Sequence, residues 1–134
     1  MPIPFEIVLF GPPVSQQARR RRIVREWTSE VRRVARTHWG TEAPFDGEVM
    51  VTITYFFQGA SLDVDNIPKP ILDALNGVVY SDDSQVTDLL CRKRNLSGDL
   101  RIPQPSALLL ESLSRSEQFL HIVVTGASRQ EVAH

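Results

Sequence analysis

Residues 49–85 read VMVTITYFFQGASLDVDNIPKPILDALNGVVYSDDSQ, and this stretch decides the architecture. Val49, Val51, Ile53, Tyr55 and Phe57 alternate with Met50, Thr52, Thr54 and Phe56, the two-residue period of a strand. Both faces are partly apolar, which predicts a central place in a sheet. Gln58-Gly59-Ala60-Ser61 breaks the pattern and delivers the chain to Asp63. A short helix follows over 66–75, with Pro68 and Pro70 in its first turn and Ile67, Ile71, Ala74 and Leu75 as its apolar stripe. Asp65 or Asn66 is the expected N-cap, and Asn76-Gly77 the stop.

Working outward, Ile3, Phe5, Ile7 and Leu9 alternate with Pro4, Glu6, Val8 and Phe10 in a first strand ended by Gly11-Pro12-Pro13. Val24, Trp27, Val31, Val34 and Ala35 recur at three- and four-residue steps, one face of a helix that stops near Gly40. Val86 to Arg94 and Phe119 to Thr125 read as the third and fourth strands. The long connection 95–118 between them contains a short helix, Ser106 to Leu113. The order β-α-β-α-β-(α)-β predicts an α/β (α+β) single domain, a mixed four-stranded sheet with helices packed on it. It spans residues 1–125, with 95–118 as an insertion and 126–134 as a flexible tail.

The 134 residues suffice for one domain with a real core. No apolar run approaches the roughly 18–20 residues of a membrane span. The N-terminus lacks a basic region and is interrupted by Glu6, so no signal peptide is expected. One cysteine, Cys91, excludes an intramolecular disulfide and fits a reducing, cytoplasmic setting. It reads as a small buried side chain rather than a nucleophile.

The net charge of −1 hides segregation. Residues 19–36 carry Arg19, Arg20, Arg21, Arg22, Arg25, Arg32, Arg33 and Arg36 against Glu26 and Glu30. Arginine without lysine in this segment suits bidentate phosphate contact, and the eight are candidate DNA-binding residues; a solvated helix face is the plainer alternative. Arg92-Lys93-Arg94 extends that surface or guards a sheet edge.

Asp63 and Asp65, two apart in an extended segment, are expected to point the same way. Two carboxylates on one face repel unless a proton or cation separates them. Oxygen-only donors favour a hard ion such as Mg²⁺, with Mn²⁺ as a substitute. Asp82 and Asp83 return one helix later, and Lys69 stands alone as the lysine before residue 93. A metal-dependent phosphodiester-cleaving site and a solvated acidic loop both fit these residues. In the second reading Lys69 merely pairs with Asp73 on the helix surface.

The run Asp63-Val64-Asp65-Asn66-Ile67-Pro68-Lys69, then Asp73-Ala74-Leu75, then Asp82-Asp83-Ser84-Gln85, resembles the DxDNxxK, DAL and DDxQ signature of RusA-type Holliday-junction resolvases. The likeness covers roughly residues 3–95 and the final strand. It implies a RusA-like fold and a homodimeric, Mg²⁺-dependent endodeoxyribonuclease that nicks branched DNA in pairs during recombination and repair. By position, Asp63, Asp65 and Asp83 match the metal-binding catalytic acids and Lys69 the catalytic lysine. Asn66, Asp73 and Asp82 fall at supporting positions. Prolines flanking Lys69 and the long 95–118 connection depart from the pattern. A metal-dependent nuclease of other DNA preference, and a non-catalytic DNA-binding module, are the alternatives.

Overall fold

The computed structural model describes residues 3–15, 20–59 and 62–127. Four strands form one sheet: β1 (Phe5–Phe10), β2 (Val49–Phe57), β3 (Val86–Asn95) and β4 (Phe119–Gly126), in the order β1-β4-β2-β3. β4 pairs antiparallel with both β1 and β2, while β2 and β3 run parallel. The sheet is therefore mixed, and β2 lies inside it as its two-sided apolar pattern predicts. A parallel pair needs a crossover. Here the crossover is residues 58–85, the segment that carries every acid of the motif.

Helices α1 (Arg21–Trp39) and α2 (Pro68–Leu75) cover one face. Their stripes meet the alternate residues of the strands, and Ile7, Val31, Ala35, Ile53, Ile71 and Ile122 are all fully buried in that core. Trp39 seats edge-on against Phe5 at 5.5 Å and donates its indole N–H to the carbonyls of Glu42 and Ala43. Gly40, at φ 82°, closes α1. Gly77, at φ 84°, turns the chain after α2, where a side chain would be strained.

The connection 95–118 is not a loose insertion. It lays Leu96, Leu100 and Ile102 over the other face, and α3 (Ala107–Ser114) adds Leu109. They pack on Phe56 and Phe119, whose rings stack at 4.6 Å, as a second, smaller core. Ser106 is the N-cap of α3, accepting from the Leu109 amide at 3.0 Å while donating to Glu6. Residues 128–134 of the expected tail lie outside the described residues.

Beneath this second layer, His121 Nε2 lies 2.6 Å from Glu6 Oε2, bridging β4 to β1. Burial acts to raise the Glu6 carboxyl, but hydrogen bonds from Ser106 and His121 outweigh it and hold it below the usual glutamate value. A depressed carboxyl contributes stability that is full above the unfolded value, about 4.3, and is lost as pH falls through the folded one. Glu6→Gln should therefore flatten the acid limb of the stability–pH curve below about pH 4.5. Urea midpoints taken from pH 7 to pH 3 would show it, and parallel curves for the two proteins would refute it.

Candidate active site

β2 runs out at Phe57, and the chain winds into a 3₁₀ turn, Val64–Asn66, before α2. Asp63 precedes the turn in extended backbone and Asp65 lies within it, the Asn66 amide donating to the Asp63 carbonyl at 3.0 Å. The expectation of two acids on one face of an extended segment is thus corrected. With three residues per turn, positions two apart project differently.

Neither Asp65 nor Asn66 caps α2. Ile67 holds the N-cap position and no side chain accepts from the first-turn amides. Ile67 has no side-chain acceptor, and Pro70, at the third helical position, lacks one of the two amides that a cap would serve. The acids of the turn are left without capping work. The turn packs against β3 and α2, and the Cys91 thiol points at the Val64 carbonyl, 3.6 Å away. Burial pushes that thiol up to about 11, so it stays protonated at neutral pH.

On α2, Lys69 Nζ meets Asp73 Oδ1 at 2.8 Å, an exposed i,i+4 pair. The hydrogen bond and charge of Asp73 raise the lysine above its usual value, and the charge of Asp83 adds to them. Lys69 is therefore a fixed cation under the influence of both halves of the motif. Tyr80 lies beneath, its hydroxyl donating to the Leu72 carbonyl at 2.7 Å. Burial first, then the charges of Asp83 and Asp73, push its phenol well above the usual tyrosine value. That keeps Tyr80 a neutral strut.

The second acidic pair divides its labour. Asp82 caps the 3₁₀ turn Asp83–Gln85, accepting from the Ser84 amide at 3.0 Å. That bond lowers its carboxyl below the usual value. Asp83 stays exposed, and no hydrogen bond or ion pair to its carboxylate is found among the described residues; the same holds for Asp63 and Asp65. Gln85 is the anchor of the turn. Its Oε1 accepts from the amides of Ser81 and Asp82, at 2.8 and 3.0 Å, and its Nε2 donates to the carbonyls of Phe45 and Gly47, both at 2.8 Å. Immediately after it the β2–β3 register shifts, Thr87 being the extra residue.

Three supports went unread in the sequence: Gln85, Tyr80 and Arg32. Gln85 had a signal, since Asp-x-x-Gln is the spacing of a capping box. Arg32 had none. Grouped by sequence with the candidate DNA-binding arginines, it turns inward and donates to the carbonyls of Asp73 (2.7 Å) and Ala74 (3.2 Å) at the end of α2. A cation there complements the helix dipole and orients the turn carrying Asp73. Arg32→Met should lose about 1–2 kcal/mol of stability, while Arg25→Met leaves stability unchanged and weakens DNA binding. Denaturant titration beside junction-binding titration separates them, and an Arg32 variant of full stability with weakened binding would reverse the assignment.

The other arginines stay on the surface. Arg22, Arg25 and Arg33 line a shallow cleft on α1 with Glu26 and Glu30. Arg33 pairs with Glu30 at 2.7 and 3.1 Å, and Arg22 lies 3.6 Å from Glu26. Arg20, Arg21 and Arg36 are exposed, and Arg19 lies outside the described residues.

Among the described residues, no three His, Cys, Asp or Glu side chains are close enough together to form a metal cage. Mg²⁺ does not require one, because it keeps several waters and binds through one or two carboxylates plus substrate phosphates. Asp63, Asp65 and Asp83 are exposed carboxylates with no hydrogen bond among the described residues, the oxygen-only donor chemistry such an ion takes.

The Endodeoxyribonuclease RusA family model matches residues 12–102. The chain belongs to the RusA endodeoxyribonuclease family. The matched span contains the acidic turns, Lys69 and the arginine helix, and ends before α3 and β4. No match is found among curated proteins. The mixed four-stranded sheet with three helices is the RusA-like architecture expected from the motif. No helix among the described residues is long and apolar enough to cross a membrane.

Proposed function

We propose that this RusA-family protein is a Mg²⁺-dependent endonuclease that resolves four-way DNA junctions by paired nicking, acting as a homodimer in recombination and repair. The supporting observation is that Asp63, Asp65, Lys69, Asp82 and Asp83 all lie in the one crossover between the parallel strands β2 and β3, inside the span matched by the family. A bound Mg²⁺ would supply charge neutralisation at the scissile phosphate and an activated water.

The chain's own residues do the rest. Asp63, Asp65 and Asp83 are the residues that would hold the cation. Lys69, kept protonated and oriented by Asp73, sits where negative charge grows on the phosphoryl oxygens. Asp82 and Gln85 fix the turn that presents Asp83, and Asn66 closes the turn that presents Asp65. The exposed arginines of α1 hold flanking phosphates, a contact that positions the duplex without reading its sequence.

Homodimerisation is proposed on two grounds. A four-way junction offers two equivalent strands, which a two-fold dimer matches with two identical sites. β3 is an edge strand of the sheet, and Leu89 (45%) and Leu90 (39%), on its opposite faces, are exposed apolar side chains that a second copy meeting this edge would cover.

The deciding experiment compares a synthetic four-way junction, a flap and a linear duplex at matched salt, with and without Mg²⁺. Cleavage confined to the junction with Mg²⁺ is expected. Equal cleavage of all three would remove the resolvase assignment. The pairing of Lys69 with Asp73 and the lack of a three-donor cage among the described residues favour a second reading, a DNA-binding module without turnover. That reading predicts salt-dependent binding and no cleavage under any divalent ion.

A further inference from the structure

The face of the sheet turned away from α1 and α2 carries a cavity of about 460 Å³, between the strands and the crossing segment 100–106. Its size falls in the range of small-ligand sites. Arg92 and Arg94, two apart on β3, line one side of it, and Arg101 enters from the crossing segment. Apolar walls come from Phe56, Leu100, Ile102, Pro105 and Leu109.

The charges are arranged for an anion. Arg22, Arg33 and Arg115 each lie against a carboxylate, but none of the three cavity arginines does among the described residues. Arg92 donates from Nε to Thr54 Oγ1 at 3.0 Å, which steadies its guanidinium and leaves the terminal nitrogens to a ligand. Glu6 is the one carboxylate among the lining residues, and its Oε2 is engaged by both Ser106 and His121. Three guanidiniums therefore face the space against one carboxylate already occupied.

We infer that this cavity binds a nucleotide, its phosphate held by Arg92, Arg94 and Arg101 and its base laid on the apolar walls. Guanidinium forks match phosphate oxygens, and the apolar lining suits a planar ring. Arg92 lies six residues along β3 from Val86, about 20 Å, and on the other face of the sheet from α1, so the contact is separate from the arginine helix. Two sources share this chemistry, a free nucleotide and an unpaired nucleotide of branched DNA; the second rests on the nuclease reading above.

The test uses the full chain and two probes, dAMP and single-stranded tetrathymidylate, titrated calorimetrically. Saturable binding of at least one is expected, weakened roughly tenfold or more in Arg94→Ala/Arg101→Ala. Both residues are exposed, so the variant should fold, and far-ultraviolet dichroism checks it. Arg115→Ala, at an exposed residue that pairs with Glu117 and does not line the cavity, should bind as wild type. Preference for dAMP identifies a free nucleotide, and preference for the oligonucleotide identifies DNA. Binding lost in Arg115→Ala but kept in the double variant overturns the inference, as does failure of both probes to bind wild type. A protein that binds dAMP but cuts no junction keeps this site and loses the nuclease reading. One that cuts junctions yet binds neither probe loses this site alone.

Discussion

Asp65→Asn is expected to reduce Mg²⁺-dependent junction cleavage by roughly 10³-fold or more, several kcal/mol of transition-state stabilisation. The carboxamide keeps the size of the side chain and removes its charge. Asp65 lies exposed in a 3₁₀ turn and no hydrogen bond of its side chain is found among the described residues, so the fold has little to lose. Junction binding should survive, because phosphate contact falls to the α1 arginines. Binding could even tighten slightly, since one negative charge facing DNA is gone. Single-turnover cleavage and a binding titration on the same junction make the measurement. Retained cleavage would sink the assignment of Asp65, and loss of both activities together would point to a folding defect. Asp63→Asn and Asp83→Asn should behave alike. If the three act as one unit, the triple variant will be little worse than any single one.

Gln85→Ala is expected to cost about 2–4 kcal/mol, because four backbone partners lose their side chain at once. Two are amides of the acidic turn and two are carbonyls of the segment leading into β2. Water reaches the turn side more easily than the half-buried carbonyl side, which keeps the figure below the sum of four full penalties. Cleavage should fall further than stability alone explains, since Asp83 is held by this turn and by no hydrogen bond or ion pair of its own side chain among the described residues. Gln85→Glu separates the two halves: it retains the acceptor for the Ser81 and Asp82 amides and lacks the donors for Phe45 and Gly47. Stability intermediate between wild type and Gln85→Ala is the expected result. A Gln85→Ala protein of wild-type stability and rate would show that the turn holds itself.

How much of this was legible beforehand depends on the range of the interactions. The strands and helices were readable because each follows from a local period. Val49–Phe57 alternates, and Val24, Trp27, Val31, Val34 and Ala35 recur at helical steps. The motif residues were readable too, since acids, lysine and asparagine at fixed spacing are a property of the chain. The face on which Asp63 and Asp65 project was misread. An extended segment was assumed where the chain forms a 3₁₀ turn over Val64–Asn66. The N-cap was misread as well, because Ile67, with no side-chain acceptor, holds that position.

Arginine 32 teaches a different lesson. It shares its helix and its residue type with Arg25 and Arg36, and nothing local sets it apart. Only the approach of α2 to α1 supplies the Asp73 and Ala74 carbonyls that turn it inward. The Arg92-Lys93-Arg94 run divides likewise. Alternation on a strand sends Arg92 and Arg94 to the cavity face, while Lys93 lies on the opposite face, 5.8 Å from the Phe57 ring.

The sequence by itself determined the elements, the family and the identity of the acids and the lysine. Those rest on hydrophobic period, turn chemistry and spacing, which are written along the chain. The tertiary structure alone decided the rest. It brought Asp83 under the same field as Lys69, withdrew Arg32 from the surface, and folded 95–118 into a second core. Each of these depends on contacts between residues far apart in sequence, made only once the parallel β2–β3 pair has closed around its crossover.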